Sequence, residues 1–345
     1  MLEFADIILT VPKLRLSKKS AYYLLVNFGP SKPKHLLAQQ IFMPLPKSSA
    51  EFVVPSQQSG SRISRRSVLA LGALGAAAGL AGYAFGVEPR WVSVEHHEMA
   101  VPNLPKHLVG KTLVHLSDIH VGKRVDAEYL LRQFDYVSSL KPDFVCFTGD
   151  FVDQASAWHV DEGIRLLDHL PRGHFGTACV LGNHDFMGAS HEWGDRGETN
   201  RLIDAFGDAD GVELLIDDTI EMNGLHVAGL PDLWLGGFQR SISKRVVKKV
   251  AGKASIVLAH NPDTADLPIW GDFDGWVLCG HTHGGQCTFP IVGAPVLPVN
   301  NRDYVSGAYE VDDQFKMYIN RGLGHTTRVR FMARPEITVF TLAVG

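Results

Sequence analysis

From Lys111 onward, short apolar runs end repeatedly in the same few polar residues: Asp, Asn, His and Gly. Runs of this length suit strands rather than helices, and the stretches between them carry apolar residues at helical spacing. A chain that alternates in this way folds as a layered α/β protein with its polar motifs at strand ends. Thr112–Leu116, Phe144–Thr148, Phe175–Leu181, Leu225–Leu230, Ile256–Ala259 and Trp276–Cys279 read as strands. Ala127–Leu140 reads as a helix with Tyr129, Leu130, Phe134 and Val137 on one face, and further helices are expected near His159–Leu170 and Glu198–Phe206. Tyr304–Glu310, Phe315–Asn320 and Glu336–Thr341 read as three antiparallel strands.

Five signatures fall where these strands end: Asp118-Ile119-His120, Gly149-Asp150, Gly182-Asn183-His184-Asp185, Ala259-His260-Asn261 and Gly280-His281-Thr282-His283-Gly284-Gly285. Open α/β sheets bind ligands beyond the carboxyl ends of their strands, where loops gather residues distant in sequence. A single Gly-Asp is an ordinary turn and a single His an ordinary polar residue. Five such motifs together offer hard oxygens and imidazole nitrogens, a donor set that suits two transition ions.

In order, the motifs follow D-x-H, G-D, G-N-H with Asp or Glu next, H, and G-H-x-H. Over roughly Lys111–Gly345 the chain resembles the calcineurin-like metallophosphoesterase superfamily. The resemblance implies a β-sandwich core flanked by helices, a catalytic domain over residues 105–345, and two divalent or transition metal ions, Mn, Fe or Zn. It implies that Asp118, His120, Asp150 and His283 hold one ion and that Asp150, Asn183, His260 and His281 hold the other, with Asp150 bridging. Two ions about 3.5–4 Å apart need an anion between them, and such a pair makes hydroxide at neutral pH and clamps a phosphoryl group. The implied reaction is attack of that bridging hydroxide on phosphorus. His184 is the expected catalytic acid or charge stabiliser, and Asp185 the group that orients its ring.

Departures from relatives narrow the substrate. Val121 follows His120, and Asp153 is followed by Gln154-Ala155 where protein phosphatases carry a phosphate-clamping arginine, so phosphoprotein is not expected. Asp153 also stands where purple acid phosphatases place an iron-binding tyrosine. The runs Ala228–Trp234, Leu258–Asp263, Gly280–Gln286 and Asn320–Gly324, with Arg334-Pro335-Glu336, are similar to small bacterial phosphodiesterase-type members that carry a twin-arginine or membrane leader. UDP-2,3-diacylglucosamine pyrophosphatases of lipid A synthesis share this style. The implied substrate is a phosphodiester, a nucleotide-sugar or a lipid diphosphate. Trp234, Leu235 and Phe238 offer an apolar wall for a leaving group or ordinary packing; Arg302 and Arg321 offer a second phosphate site or a solvated surface. A non-catalytic metal-binding scaffold is the alternative, and the intact donor set with His184 argues against it.

Ahead of this body, Ser64-Arg65-Arg66-Ser67-Val68-Leu69 runs into Val68–Gly86, a stretch without charge that would span roughly 28 Å as a helix. The pattern over residues 61–90 resembles a twin-arginine export signal, with Ala84-Phe85-Gly86 as a small-x-small cleavage site, or else a membrane anchor. Residues 1–60 form a basic extension; 1–66 hold 10 Lys/Arg against 3 Asp/Glu, while the whole chain carries a net charge of -4. Basic residues before the helix place the N-terminus in the cytoplasm. Export machinery or the membrane is therefore an expected partner. The expected location is the periplasm or cell envelope, with an inner-membrane anchor and a cytoplasmic catalytic domain as the alternative. An acidic body has no broad cationic surface, so no specific nucleic-acid partner is expected. Cys146, Cys179 and Cys279 sit among apolar residues and read as buried thiols, with a single disulfide open.

Overall fold

Strands buried on both faces need continuous apolar runs, and parallel pairing needs helices to cover it. Both conditions are met in the computed structural model, which describes residues 64–188 and 196–345. The basic extension 1–60 lies outside the described residues. Among those described, two six-stranded sheets face each other. The first is built from β1 (Ser93–Val101), β2 (Thr112–Leu116), β3 (Phe144–Thr148), β4 (Gly176–Val180) and β5 (Val212–Leu214). The second contains β6 (Asp218–Met222), β7 (Leu225–Gly229), β8 (Ser255–Leu258), β9 (Trp276–Cys279), β10 (Gly307–Val311) and β11 (Phe315–Ile319). The last strand, β12 (Glu336–Val344), returns to the first sheet between β1 and β2.

The sandwich core lies between the sheets, where Leu113, Phe144 and Val180 meet Val227, Ile256 and Leu278. Outside the first sheet, helices α2 (Ala127–Ser139), α3 (Ala157–Leu167) and α4 (Arg196–Asp208), which follow the leader helix α1 (Arg65–Gly82), bury Phe134, Val160 and Phe206 against Phe147 and Phe151. Helix α5 (Arg240–Val250) covers the second sheet through Val246, Val247 and Val250. Asp126 caps α2 by accepting from Glu128 N at 3.0 Å, and Tyr129, Leu130, Phe134 and Val137 turn inward as their spacing predicts. Cys146, Cys179 and Cys279 are buried free thiols, and Cys287 is partly exposed and free.

The C-terminal strands depart from the expected antiparallel trio. Strands β10 and β11 pair antiparallel in the second sheet, but β12 runs parallel to β1 and antiparallel to β2 in the first. The chain changes sheets because the segment after β11 is drawn across the strand ends: Leu323 N bonds Ser117 O, Gly324 N bonds Asp118 O, and Glu336 N bonds Gly322 O. Strand β1 precedes the range read as the catalytic domain, yet all nine of its residues pair with β12. The leader helix α1 buries none of its residues; Ser64 caps it. The continuous helix Arg65–Arg90 is long and apolar enough to cross a membrane.

Candidate metal centre and cleft

All five signatures emerge from strand ends on one side of the sandwich, following β2, β3, β4, β8 and β9. To point back over those ends, the chain must turn sharply. Asp118, His120, Asp150, His281 and His283 all adopt left-handed backbone angles, with φ of 49°, 49°, 55°, 71° and 52°. This region costs residues with a Cβ on the order of 1–2 kcal/mol each, and such strain persists where surrounding structure fixes a functional geometry. Close approach fixes the neighbours too. A Cβ on Gly182 would collide with Asp150 Oδ1, and one on Gly149 would lie 2.5 Å from Gly182 N.

The side chains converge in two groups that share one carboxylate. Asp118, His120, Asp150 and His283 form a buried cluster, and Asp150, His260 and His281 form a second. In the first, His120 Nε2 lies 3.0 Å from His283 Nε2 and 3.5 Å from Asp150 Oδ2, and His283 Nε2 lies 3.3 Å from Asp118 Oδ1. In the second, His260 Nε2 lies 3.3 Å from Asp150 Oδ2, 3.2 Å from Asn183 Oδ1 and 3.1 Å from His281 Nδ1. Metal–ligand bonds of about 2.1 Å place neighbouring donors about 3.0–3.4 Å apart around a cation. The spacing therefore fits two divalent ions, one in each cluster.

Backbone carbonyls set the histidine tautomers. His260 Nδ1 donates to Thr148 O at 2.7 Å, which leaves Nε2 as the free donor atom; His281 Nε2 donates to Pro298 O at 2.7 Å, which leaves Nδ1. A carbonyl only accepts, so each ring turns its other nitrogen toward the cluster, where a bound ion would take the place of any proton it carries. Asp118 is held by Ser117 Oγ at 2.5 Å and by His281 N at 3.0 Å.

The electrostatics of the buried groups follow the same division. Burial opposes ionisation of Asp150, but His260 and His184 outweigh it and hold the carboxyl well below the usual range. Burial likewise opposes protonation of His260, yet Asp150 and Asp118 carry its pKa up to about 10. Burial, and then the neighbouring His260, push His281 down to about 3. Asp150 thus draws positive charge to its Oδ2, where both clusters meet.

His184 stands at the rim, only partly buried. Its N–H donates to Asp150 Oδ1 at 2.9 Å, and its Nδ1 donates to Asp153 O at 2.9 Å, so Nε2 is the free ring nitrogen. The ring is therefore oriented by the Asp153 carbonyl and not by Asp185. The Asp185 carboxylate is buried and accepts from Val152 N at 2.9 Å and Gly182 N at 2.8 Å, tying the loop after β3 to the loop after β4. Burial, with Asp150 nearby, pushes its carboxyl up to about 7.

The clusters floor a cleft of about 450 Å³ whose apolar walls are Met187, Trp234, Leu235, Val296 and Pro298. Asp232 holds one wall by accepting from Trp234 N and Leu235 N, both at 2.8 Å, and the Trp234 ring stands 4.5 Å from that of His281. Phe238, expected beside them, packs on the α5 core instead. Neither candidate arginine lines the cleft. Arg321 pairs with Glu95 at 2.7 Å and Glu336 at 2.9 Å, and Arg302 bonds Ala294 O and Pro295 O at 3.1 Å.

Two contributors escaped sequence reasoning. Asp153 places its carboxylate 3.7 Å from His120 Nδ1 and 3.0 Å from Arg124. Arg330 is fully buried and donates to the carbonyls of Ala333, Arg321, Gly322 and Gly324, stiffening the segment behind His283. Asp153 lay within a motif already singled out; in the Arg328-Val329-Arg330 run, nothing marks which arginine turns inward.

Comparison with known proteins agrees with this geometry. Residues 111–285 match the model of the calcineurin-like phosphoesterase family. The chain is 32% identical to an uncharacterized metallophosphoesterase of Bacillus subtilis, YkuE, over 79% of this chain and 93% of that one. It is 29% identical to the phosphodiesterase YaeI of Escherichia coli, over 76% and 92%. It is 26% identical to the UDP-2,3-diacylglucosamine pyrophosphatase LpxG of Chlamydia muridarum, over 73% and 90%.

Proposed function

The chain belongs to the calcineurin-like phosphoesterase family, and from that premise we propose that it hydrolyses a phosphodiester or a diphosphate held over the two clusters. The observation that carries the reading is Asp150 Oδ2, which lies 3.5 Å from His120 Nε2 and 3.3 Å from His260 Nε2 and so belongs to both clusters. We assign Asp118, His120, Asp150 and His283 to one metal ion and Asp150, Asn183, His260 and His281 to the other. Such a pair supplies Lewis acidity and a nucleophile at neutral pH.

The protein's own residues do the rest. Asp153 O keeps the His184 proton on Nδ1 in the neutral ring, and a second proton taken up at Nε2 is delivered to the leaving oxygen. The Thr148 and Pro298 carbonyls keep His260 and His281 in the tautomers that donate to the clusters. Met187, Trp234, Leu235 and Val296 exclude water from the leaving-group side. Because no arginine among the described residues lines the cleft, extra charge on a monoester has no clamp from them, which supports a diester or anhydride.

A lipid diphosphate such as UDP-2,3-diacylglucosamine is the second reading, supported by the apolar walls and by the likeness to LpxG. The twin-arginine-like leader supports export or anchoring of the body on the side opposite its basic flank. A reporter fused after Gly345 that is inactive in the periplasm would oppose this.

The test is hydrolysis by the purified full chain, loaded in turn with Mn, Zn and Fe. Substrates are bis(p-nitrophenyl) phosphate, a monoester and UDP-2,3-diacylglucosamine, with His184→Ala as control. Cleavage of the diester or the nucleotide lipid well above the control is expected. Failure on all three with every metal would overturn the reading.

A further inference from the structure

From Gly284 to Asn301 the chain has no charged side chain, yet much of this segment faces solvent. Ile291 is 98% exposed, and Val292 and Val296 are each 74% exposed. These residues are not on a loose strand. Phe289 N bonds Gly293 O at 2.9 Å and Gly293 N bonds Phe289 O at 2.8 Å, closing a tight turn with Ile291 and Val292 at its tip. A soluble surface scatters its exposed apolar residues singly, whereas this turn concentrates them.

Its position gives the patch a meaning. The turn is seated on Phe331, through Thr288 N to Phe331 O at 2.8 Å and ring contact of Phe289 with Phe331 at 5.5 Å. The residues flanking Phe331 hold the end of the leader helix: Arg330 N bonds Ala84 O at 3.0 Å, and Ala333 N bonds Glu88 Oε1 at 2.7 Å. Phe85, Val87 and Met332 are more than half or half exposed beside these bonds. Trp91 follows, with the Arg334 guanidinium 4.2 Å over its ring, an aromatic-cationic pair of the kind found at membrane interfaces. On its other side the same segment supplies Gln286 and Val296 to the cleft. A helix able to span a bilayer thus enters the body beside an uncharged turn, which in turn borders the cleft.

We propose that the Phe289–Val296 turn is a docking element that enters the surface of the same lipid bilayer the leader helix spans. The leader end and the turn then form two supports, and the cleft opens at the headgroup level. The occupant is lipid because the patch continues the apolar surface of a helix that no protein segment among the described residues covers. The inference rests on the anchored reading of the leader helix and holds whichever phosphorus bond is cleaved.

The test reads depth rather than turnover. Full chain carrying Ile291→Trp is reconstituted in vesicles of phosphatidylethanolamine and phosphatidylglycerol, with and without brominated acyl chains, and the wild-type emission is subtracted. The expected result is blue-shifted added emission that is lost in brominated bilayers and resists aqueous iodide; Val292→Trp repeats the test should the first variant fold poorly. Red-shifted emission that iodide quenches and bromine does not would overturn the proposal. So would protection from both quenchers with a cross-link between two chains, which would assign the patch to a second copy. Activity on bis(p-nitrophenyl) phosphate, expected to be unchanged in both variants, reports separately on the reaction.

Discussion

Replacing Asp185 by Asn separates a structural from a catalytic role for that carboxylate. Its two oxygens accept from Val152 N and Gly182 N, so it staples the loop carrying Asp150 to the loop carrying Asn183. Asn keeps one acceptor and turns an NH₂ toward the other N–H. One charge-assisted bond worth about 1.5–3 kcal/mol is lost, and a buried N–H left unsatisfied costs about 1–3 kcal/mol. Removing a buried charge, from a carboxyl already pushed up to about 7, returns part of this. A net loss of about 2–3 kcal/mol lowers Tm by roughly 3–5 °C in a domain of this size. Calorimetry of the metal-loaded Asp185→Asn variant should show this shift, together with weaker metal affinity, while kcat at saturating metal stays within about tenfold of wild type. An unchanged Tm with kcat falling as far as in His184→Ala would instead return Asp185 to the His184 ring.

Three further outcomes follow from the same contacts. His184→Ala should slow turnover by about 10²–10⁴-fold while metal analysis still finds two ions per chain. Arg321→Gln strands Glu336, which is 1% exposed, so denaturant unfolding should show a loss of about 3–5 kcal/mol with KM unchanged; a rise in KM at unchanged stability would instead make Arg321 a phosphate ligand. Burial pushes His115 from 6.5 down to about 3, so the folded chain keeps it neutral and the unfolded chain protonates it below pH 6.5. Its stabilising contribution is complete above pH 6.5 and is lost as pH falls toward 3, at about 1.4 kcal/mol per unit, and His115→Phe should flatten the fall in unfolding free energy between pH 6.5 and 5 by about that slope.

The sequence carried the centre better than its supports. Strand ends and metal-binding residue types coincide in linear motifs, so seven candidate ligands stand out in the sequence; six of them lie in the two clusters, and Asn183 Oδ1 stands 3.2 Å from His260 Nε2 beside them. The tautomer-setting carbonyls of Thr148 and Pro298 are backbone atoms and leave no mark in residue identity. Asp185 has the chemistry to orient a ring, but its direction depends on the turn after Gly182, where two N–H groups claim it first. Arg321 looked available for phosphate because its partners, Glu95 and Glu336, come from β1 and β12, which meet only when the last strand crosses to the first sheet. That crossing was equally hidden: Glu336–Val344 is apolar enough for either sheet, and its ladders with Ser93–Val101 and Thr112–Leu116 decide. The outward half of that first strand, with Glu95, His96, His97 and Glu98, obscured it as a strand at all.

In the proposed centre Asp150 joins two metal ions. Electron paramagnetic resonance during titration of the metal-free full chain with Mn²⁺ tests it directly. Two ions bound per chain with an exchange-coupled dimanganese signal, which Asp150→Asn abolishes, are expected. A single bound ion, or two ions giving uncoupled signals in the unaltered chain, would contradict this arrangement.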